Sequence, residues 1–180
     1  MLELLPEFTS QTEVLLAAFA FGYLAGSIPF GILISKILGL GDLRKVGSGN
    51  IGATNVLRTG NKLAAFLTLL FDFSKGICAV LLVRQFFGED AVQVSAFSAL
   101  VGHCFPTWLR FRGGKGVATF LGVTISLSFI IGIICCFVWL FVAAVRKMSS
   151  LASLTSSTSA PIAAIFLNQP NTIILLVLLL

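Results

Sequence analysis

Two short polar stretches interrupt an otherwise apolar chain. Residues 46–58 read VGSGNIGATNVLR, and residues 102–119 read GHCFPTWLRFRGGKGVAT. Hydrocarbon makes idle glycines, amides and cations costly, so such groups are expected to have a task at a membrane surface. Each stretch joins flexible backbone to hydroxyl, amide and cationic donors, a combination that suits phosphate. In the first, Gly47, Gly49 and Gly52 let backbone N–H groups approach an anion, and a following helix N-terminus favours negative charge. Ser48, Asn50, Thr54 and Asn55 add donors, and Arg58 offers a bidentate fork. In the second, Lys115 stands among Gly113, Gly114 and Gly116, where its ammonium can lie against a phosphate. Arg110 and Arg112 either join it or anchor the chain at lipid headgroups. The competing reading of both stretches is a surface loop with snorkelling cations.

More familiar motifs do not fit these residues. Residues 47–52 match G-x-G-x-x-G, and Asp72 follows at the spacing of a ribose-binding acid. That fingerprint needs a preceding strand and a βαβ unit, whereas here the flanking segments are apolar spans. The Gly113 to Gly116 run resembles the end of a P-loop, but the first glycine and the final Ser/Thr are misplaced. His103 is the sole histidine. It serves either as a general base or as a structural hydrogen bond at a helix end, and no carboxylate lies near it in sequence to orient it. The acid expected five residues after such a histidine in acyl-CoA acyltransferases is replaced by Trp108. Cys78, Cys104, Cys135 and Cys136 lie in or beside apolar runs without metal-type spacing and read as small hydrophobes.

These stretches must be positioned by membrane helices. Of 180 residues, 57% are hydrophobic and 11% charged, against about 25% charged in soluble domains. The mean hydropathy is +1.04. The net charge of +5 is spread over loops rather than gathered in a nucleic-acid patch, which points to anionic headgroups or anionic substrates as partners. The acidic start, with Glu3, Glu7 and Glu13, is unlike a signal peptide. Apolar blocks cover 14–38, 63–83, 91–109, 117–145 and 151–180. The second carries Asp72 and Lys75, three apart and so on one helix face, able to neutralise each other or to face a functional interior.

Cations after the first block (Arg44, Lys45, Arg58, Lys62) and after the third (Arg110, Arg112, Lys115) place the N-terminus outside and both polar stretches in the cytoplasm. The fourth block is expected to fold back near Gly132, giving two arms of about 14 residues, roughly 21 Å each. That returns Arg146, Lys147, Ser149 and Ser150 to the cytoplasmic side. The fifth block breaks at 168–171. The expected fold is an all-α integral membrane protein with seven transmembrane helices, N-terminus outside and C-terminus cytoplasmic; five helices is the conservative count. The chain stops within an apolar run, so a C-terminal tail is expected beyond Leu180.

At the two polar stretches the chain resembles the bacterial acyl-phosphate-dependent glycerol-3-phosphate acyltransferases, the PlsY family. Residues 26–31 (GSIPFG) and 149–153 (SSLAS) behind Arg146 and Lys147 fit as well. The resemblance covers most of the chain. It implies a seven-helix enzyme of the bacterial cytoplasmic membrane that moves a fatty acyl group from acyl phosphate to the sn-1 hydroxyl of glycerol 3-phosphate. The products are lysophosphatidic acid and inorganic phosphate. By motif position, Ser48, Asn50, Arg58 and Lys115 resemble the family's catalytic residues, with Gly49, Thr54 and Asn55 beside them. Gly113 and Gly114 resemble the shapers of the glycerol-phosphate pocket, and Ser149 and Ser150 the hydroxyls of a phosphate hole. The family also carries His and Asn in a basic tail, which this sequence does not reach. A soluble acyl-phosphate synthase is an expected partner; no cofactor, metal or nucleic acid is expected.

Phosphate on both substrates explains two glycine-plus-cation stretches on one membrane face. An acyl phosphate is already activated, so the protein needs chiefly positioning and charge stabilisation. A transporter for a phosphorylated anion is the main rival; it would need a polar path, yet only Asp72 and Lys75 sit deep. A phosphatidyl transferase would need an acidic metal cluster, which Asp42, Asp72 and Asp90 do not form in sequence.

Overall fold

The computed structural model describes residues 6–169 and 172–179. All regular structure among them is helical. Helices α1 (Thr12–Ser27) and α2 (Phe30–Ile37) share the first apolar block. Pro29 separates them, because it lacks an N–H and steers Ile28 into an extended conformation. A short helix α3 (Ala53–Leu57) follows the first polar stretch and leads to α4 (Lys62–Arg84). Then come α5 (Glu89–Cys104), α6 (Val117–Leu127), α7 (Phe129–Arg146), α8 (Ser149–Phe166) and α9 (Ile173–Leu178). Among the described residues, three segments are long and apolar enough to cross a membrane: Thr12–Ile37, Lys62–Arg84 and Phe129–Arg146.

Small residues set the packing. Gly22 and Gly26 of α1 rest on the backbone of Ser95 and Ala99 of α5, and Gly102 of α5 rests on Tyr23 and Ser27. Those pairings run in the same order along both chains, so α1 and α5 are parallel. Gly76 of α4 and Gly122 of α6 likewise meet each other's helix backbone. This is the small-xxx-small packing used where apolar lipid provides no drive to associate. Helix α5 touches α1, α4, α6 and α9. Ser95 donates to the carbonyl of Ala79 across to α4 (2.8 Å).

The fourth apolar block does fold back, but not at Gly132. The break is Ser128, in an extended conformation, and leaves arms of 11 and 18 residues. Gly132 lies inside α7, where the missing side chain lets α7 sit on the Cα of Ile125. It is a packing glycine rather than a hinge. In the fifth block α8 ends at Phe166 and Asn168 takes a left-handed conformation (φ 54°). Residues 170 and 171 of the expected break lie outside the described residues. The Ser/Thr hydroxyls of α8 bond mostly within their own helix: Ser153 to Ser149, Thr155 to Leu151 and Thr158 to Leu154. Ser156 instead reaches the carbonyl of Cys135 on α7 (2.7 Å), and Trp139 of α7 donates to Ser153; this reversed order makes the two helices antiparallel.

Candidate active site

The first polar stretch is a loop wrapped around one amide. Gly47 and Gly49 take positive φ (50° and 68°), which glycine adopts without a Cβ clash. Asn55, 2% exposed, sits at the centre. Its Nδ2 donates to the carbonyls of Leu43 (2.9 Å) and Asn50 (2.7 Å). Its Oδ1 accepts from the Ser48 N–H (3.1 Å) and from Arg58 (3.3 Å). A side-chain amide has two N–H protons, and both are used. Through these bonds Asn55 shapes the loop. Arg58 lies across Gly47, leaving no room for a Cβ there. Ser48, Thr54 and Arg58 are exposed, with Gly49 and Asn50 half-buried. Asn50 turns its Oδ1 to the N–H of Ile51 (2.9 Å).

The second stretch folds back on the end of α5. The N–H groups of Gly113 and Gly114 donate to the carbonyls of Cys104 and His103, each at 3.0 Å. Lys115 is exposed, and Gly116 (φ 74°) starts α6 with no side-chain cap. Trp108 donates to the carbonyl of Ser27 (2.8 Å), and the Tyr23 hydroxyl donates to that of Phe105 (2.8 Å). These bonds pin the turn to the end of α1. Arg44, two residues before the first stretch, donates from Nη2 to the carbonyl of Arg112 (2.7 Å) and joins the two loops. Ser149 and Ser150 begin α8 after α7 has returned alongside α6. No hydrogen bond among the described residues ties either serine to the two loops.

Beneath the loops lies a buried polar cluster. Lys75 Nζ is 2.8 Å from Asp72 Oδ1, with both side chains only 4% exposed. The same ammonium donates to the carbonyl of Ile28 at the proline break (3.0 Å). The Thr119 hydroxyl donates to the backbone carbonyl of Asp72 (3.0 Å) and lies 3.2 Å from His103 Nδ1. The Asp72 carboxylate is 3.8 Å from that nitrogen. His103 thus has the acidic neighbour its own sequence surroundings lack. Asp72 and Thr119 were not legible as its partners, because the contact joins three different helices. Helix α4, which carries Asp72 and Lys75, packs against α1, α5 and α6.

A family model described as "Glycerol-3-phosphate acyltransferase" matches residues 16–180. The glycerol-3-phosphate acyltransferase of Jannaschia sp. (strain CCS1) is 58% identical over 152 residues, 84% of this chain and 75% of that relative. The same-named protein of Ruegeria sp. (strain TM1040) is 52% identical over 176 residues, 98% of this chain and 87% of the relative. Among solved structures, the glycerol 3-phosphate form of PlsY (YgiH), an integral membrane glycerol 3-phosphate acyltransferase, superposes with a TM-score of 0.86 at 38% identity. The match covers 92% of this chain and 84% of that one. Its lysophosphatidic acid form gives a TM-score of 0.82 at 34% identity, over 92% and 83% of the two chains.

Proposed function

Because this chain belongs to the glycerol-3-phosphate acyltransferase family and is a membrane enzyme of phospholipid synthesis, we propose that its acyl donor is a fatty acyl phosphate and its acceptor the sn-1 hydroxyl of glycerol 3-phosphate. One observation carries this reading: two glycine-rich cationic loops, joined by the Arg44–Arg112 bond, share one end of the helix bundle. Two anionic substrates need such a doubled cradle, and an activated donor needs little else.

The hydroxyl oxygen attacks the acyl carbonyl carbon. The bond from that carbon to the phosphate oxygen breaks, and phosphate leaves with the electron pair. The hydroxyl proton passes to a phosphate oxygen. Ser48, Asn50, Gly49 and Thr54 line the first loop, and Gly113 and Gly114 shape the second. Arg58 and Lys115 stabilise the developing oxyanion and the departing phosphate, next to the uncapped N-terminus of α6. Ser149 and Ser150 complete the phosphate hole once substrate is bound. The acyl tail enters sideways from the bilayer.

The proposed setting is one domain in the bacterial cytoplasmic membrane, with seven crossings, the N-terminus outside and the loops facing the cytoplasm. The parallel order of α4 and α6 supports this: mid-α4 Asp72 meets Thr119 near the start of α6, and Arg84 at the end of α4 donates to the carbonyl of Ser126 near the end of α6. A soluble acyl-phosphate synthase is the proposed supplier of donor.

The test offers palmitoyl phosphate and glycerol 3-phosphate to purified protein in detergent. Inorganic phosphate release that requires both substrates is expected. Acyl transfer from palmitoyl-CoA, with palmitoyl phosphate inert, rejects the donor. Labelling of engineered thiols at positions 48 and 115 from opposite sides of the membrane rejects the shared cradle.

A further inference from the structure

We propose that His103 is a positioning residue of this site: it is held as the Nδ1–H tautomer, so that its bare Nε2 edge seats the Gly114 backbone that presents Lys115. The functional meaning rests on the acyltransferase reading of Lys115; the tautomer does not.

A proton count assigns the tautomer. The Thr119 hydroxyl has one proton. Its Oγ1 lies 3.0 Å from the Asp72 backbone carbonyl oxygen. Two oxygens that close need a proton between them, so the hydroxyl proton is spent there. Oγ1 also lies 3.2 Å from His103 Nδ1, and toward that nitrogen it has only a lone pair to offer. Nδ1 therefore carries hydrogen. The Asp72 carboxylate, 3.8 Å away, favours the same arrangement.

In the neutral ring, Nε2 is then unprotonated. That edge faces the second loop: a Cβ added to Gly114 would collide with Nε2 and come within 3.0 Å of Cδ2 and Cε1. The loop is fastened to the same residue through the Gly114 N–H on the His103 carbonyl (3.0 Å). Thr119 follows the loop by one helical turn and returns to the other side of the ring. Lys115 is thus carried on a segment whose two ends are both tied to His103, and the tie is referred through Asp72 to α4. The Lys75 ammonium extends it to the proline break between α1 and α2.

The sole histidine makes the test direct. The whole protein, labelled with ring-¹⁵N histidine in lipid nanodiscs, yields the signals of one residue. A protonated Nδ1 and an unprotonated Nε2 are expected, with glycerol 3-phosphate shifting Nε2 more than Nδ1. An Nε2–H tautomer, or an imidazolium, overturns the proposal. Thr119→Val is expected to mix the tautomers and raise KM for glycerol 3-phosphate about tenfold, equivalent to about 1.4 kcal/mol, with a smaller change in kcat. Thr119→Ser is expected to restore both. A Thr119→Val enzyme with wild-type spectrum and KM overturns it. The wild-type spectrum decides the tautomer even where Thr119→Val does not fold. Should palmitoyl phosphate prove inert while the Nε2 response persists, the donor assignment fails and the positioning role stands.

Discussion

The molecule handles charge in opposite ways at its core and at its loop end. Asp72 and Lys75 are 3% and 5% exposed and neutralise each other at 2.8 Å. Arg58, Arg110, Arg112 and Lys115 are exposed, and among the described residues none has an acidic partner. The buried pair is held inside the bundle, with Lys75 on the Asp72 carboxylate and on the carbonyl of Ile28. The loop cations were left unpaired by the chain and remain available to anions. Paired buried charge here lies within the bundle; unpaired surface charge marks the proposed site.

The largest effect should come from breaking the buried pair. Asp72→Ala strands the Lys75 ammonium and should destabilise the fold by about 3–5 kcal/mol, read as a lowered unfolding temperature in detergent. Replacing both, Asp72→Leu with Lys75→Met, should recover most of that loss, since apolar replacements carry no desolvation cost. Equal stability of the single and double variants would contradict the pairing.

At the loop end the pattern should invert. Lys115→Ala and Arg58→Ala should each lower turnover by about a hundredfold or more, while unfolding shifts by no more than about 0.5 kcal/mol. Near-normal rates in both variants would remove them from the chemistry.

Asn55→Ala tests the hinge between the two behaviours, because Asn55 is buried yet serves the exposed loop. Loss of its saturated amide should cost about 1–3 kcal/mol and lower activity by disordering Ser48. Asn55→Asp should not rescue it, since a carboxylate cannot donate to Leu43 and Asn50. The smallest effect belongs to Arg84 and Glu89, an exposed pair at 2.8 Å. Glu89→Gln should change stability by about 1 kcal/mol or less, and a larger thermal shift would place that pair with the buried one.

The helices divide in the same manner. α7 is an uninterrupted apolar run that keeps most of its surface open to lipid, and its hydropathy announces it. α5 carries buried Asp90, Gln93, Ser95, Ser98 and His103 and falls outside the apolar candidates. Its neighbours are protein, so small and polar side chains serve it better than leucine. Hydropathy reports exposure to lipid more than depth in a bundle.

Much of the candidate site is readable in the order of residues. Residues 46–58 and 102–119 stand out by type and spacing, and the acidic start and loop cations carry the expected alternation of the apolar runs. The fold-back of the fourth block followed from its length and from Arg146 and Lys147, but Ser128 rather than Gly132 makes the turn. A glycine looks the same in a sequence whether it bends a helix or lets a neighbour approach.

By itself, then, the order of residues determined that this is a membrane protein with two phosphate-suited loops, because composition and local spacing act over a few neighbouring positions. The tertiary structure decided that Asp72 and Thr119 lie beside His103. It also decided that a helix of modest hydropathy lies inside the bundle. Those outcomes depend on which groups from distant segments share a proton or exclude lipid, and only packed helices bring them within 4 Å.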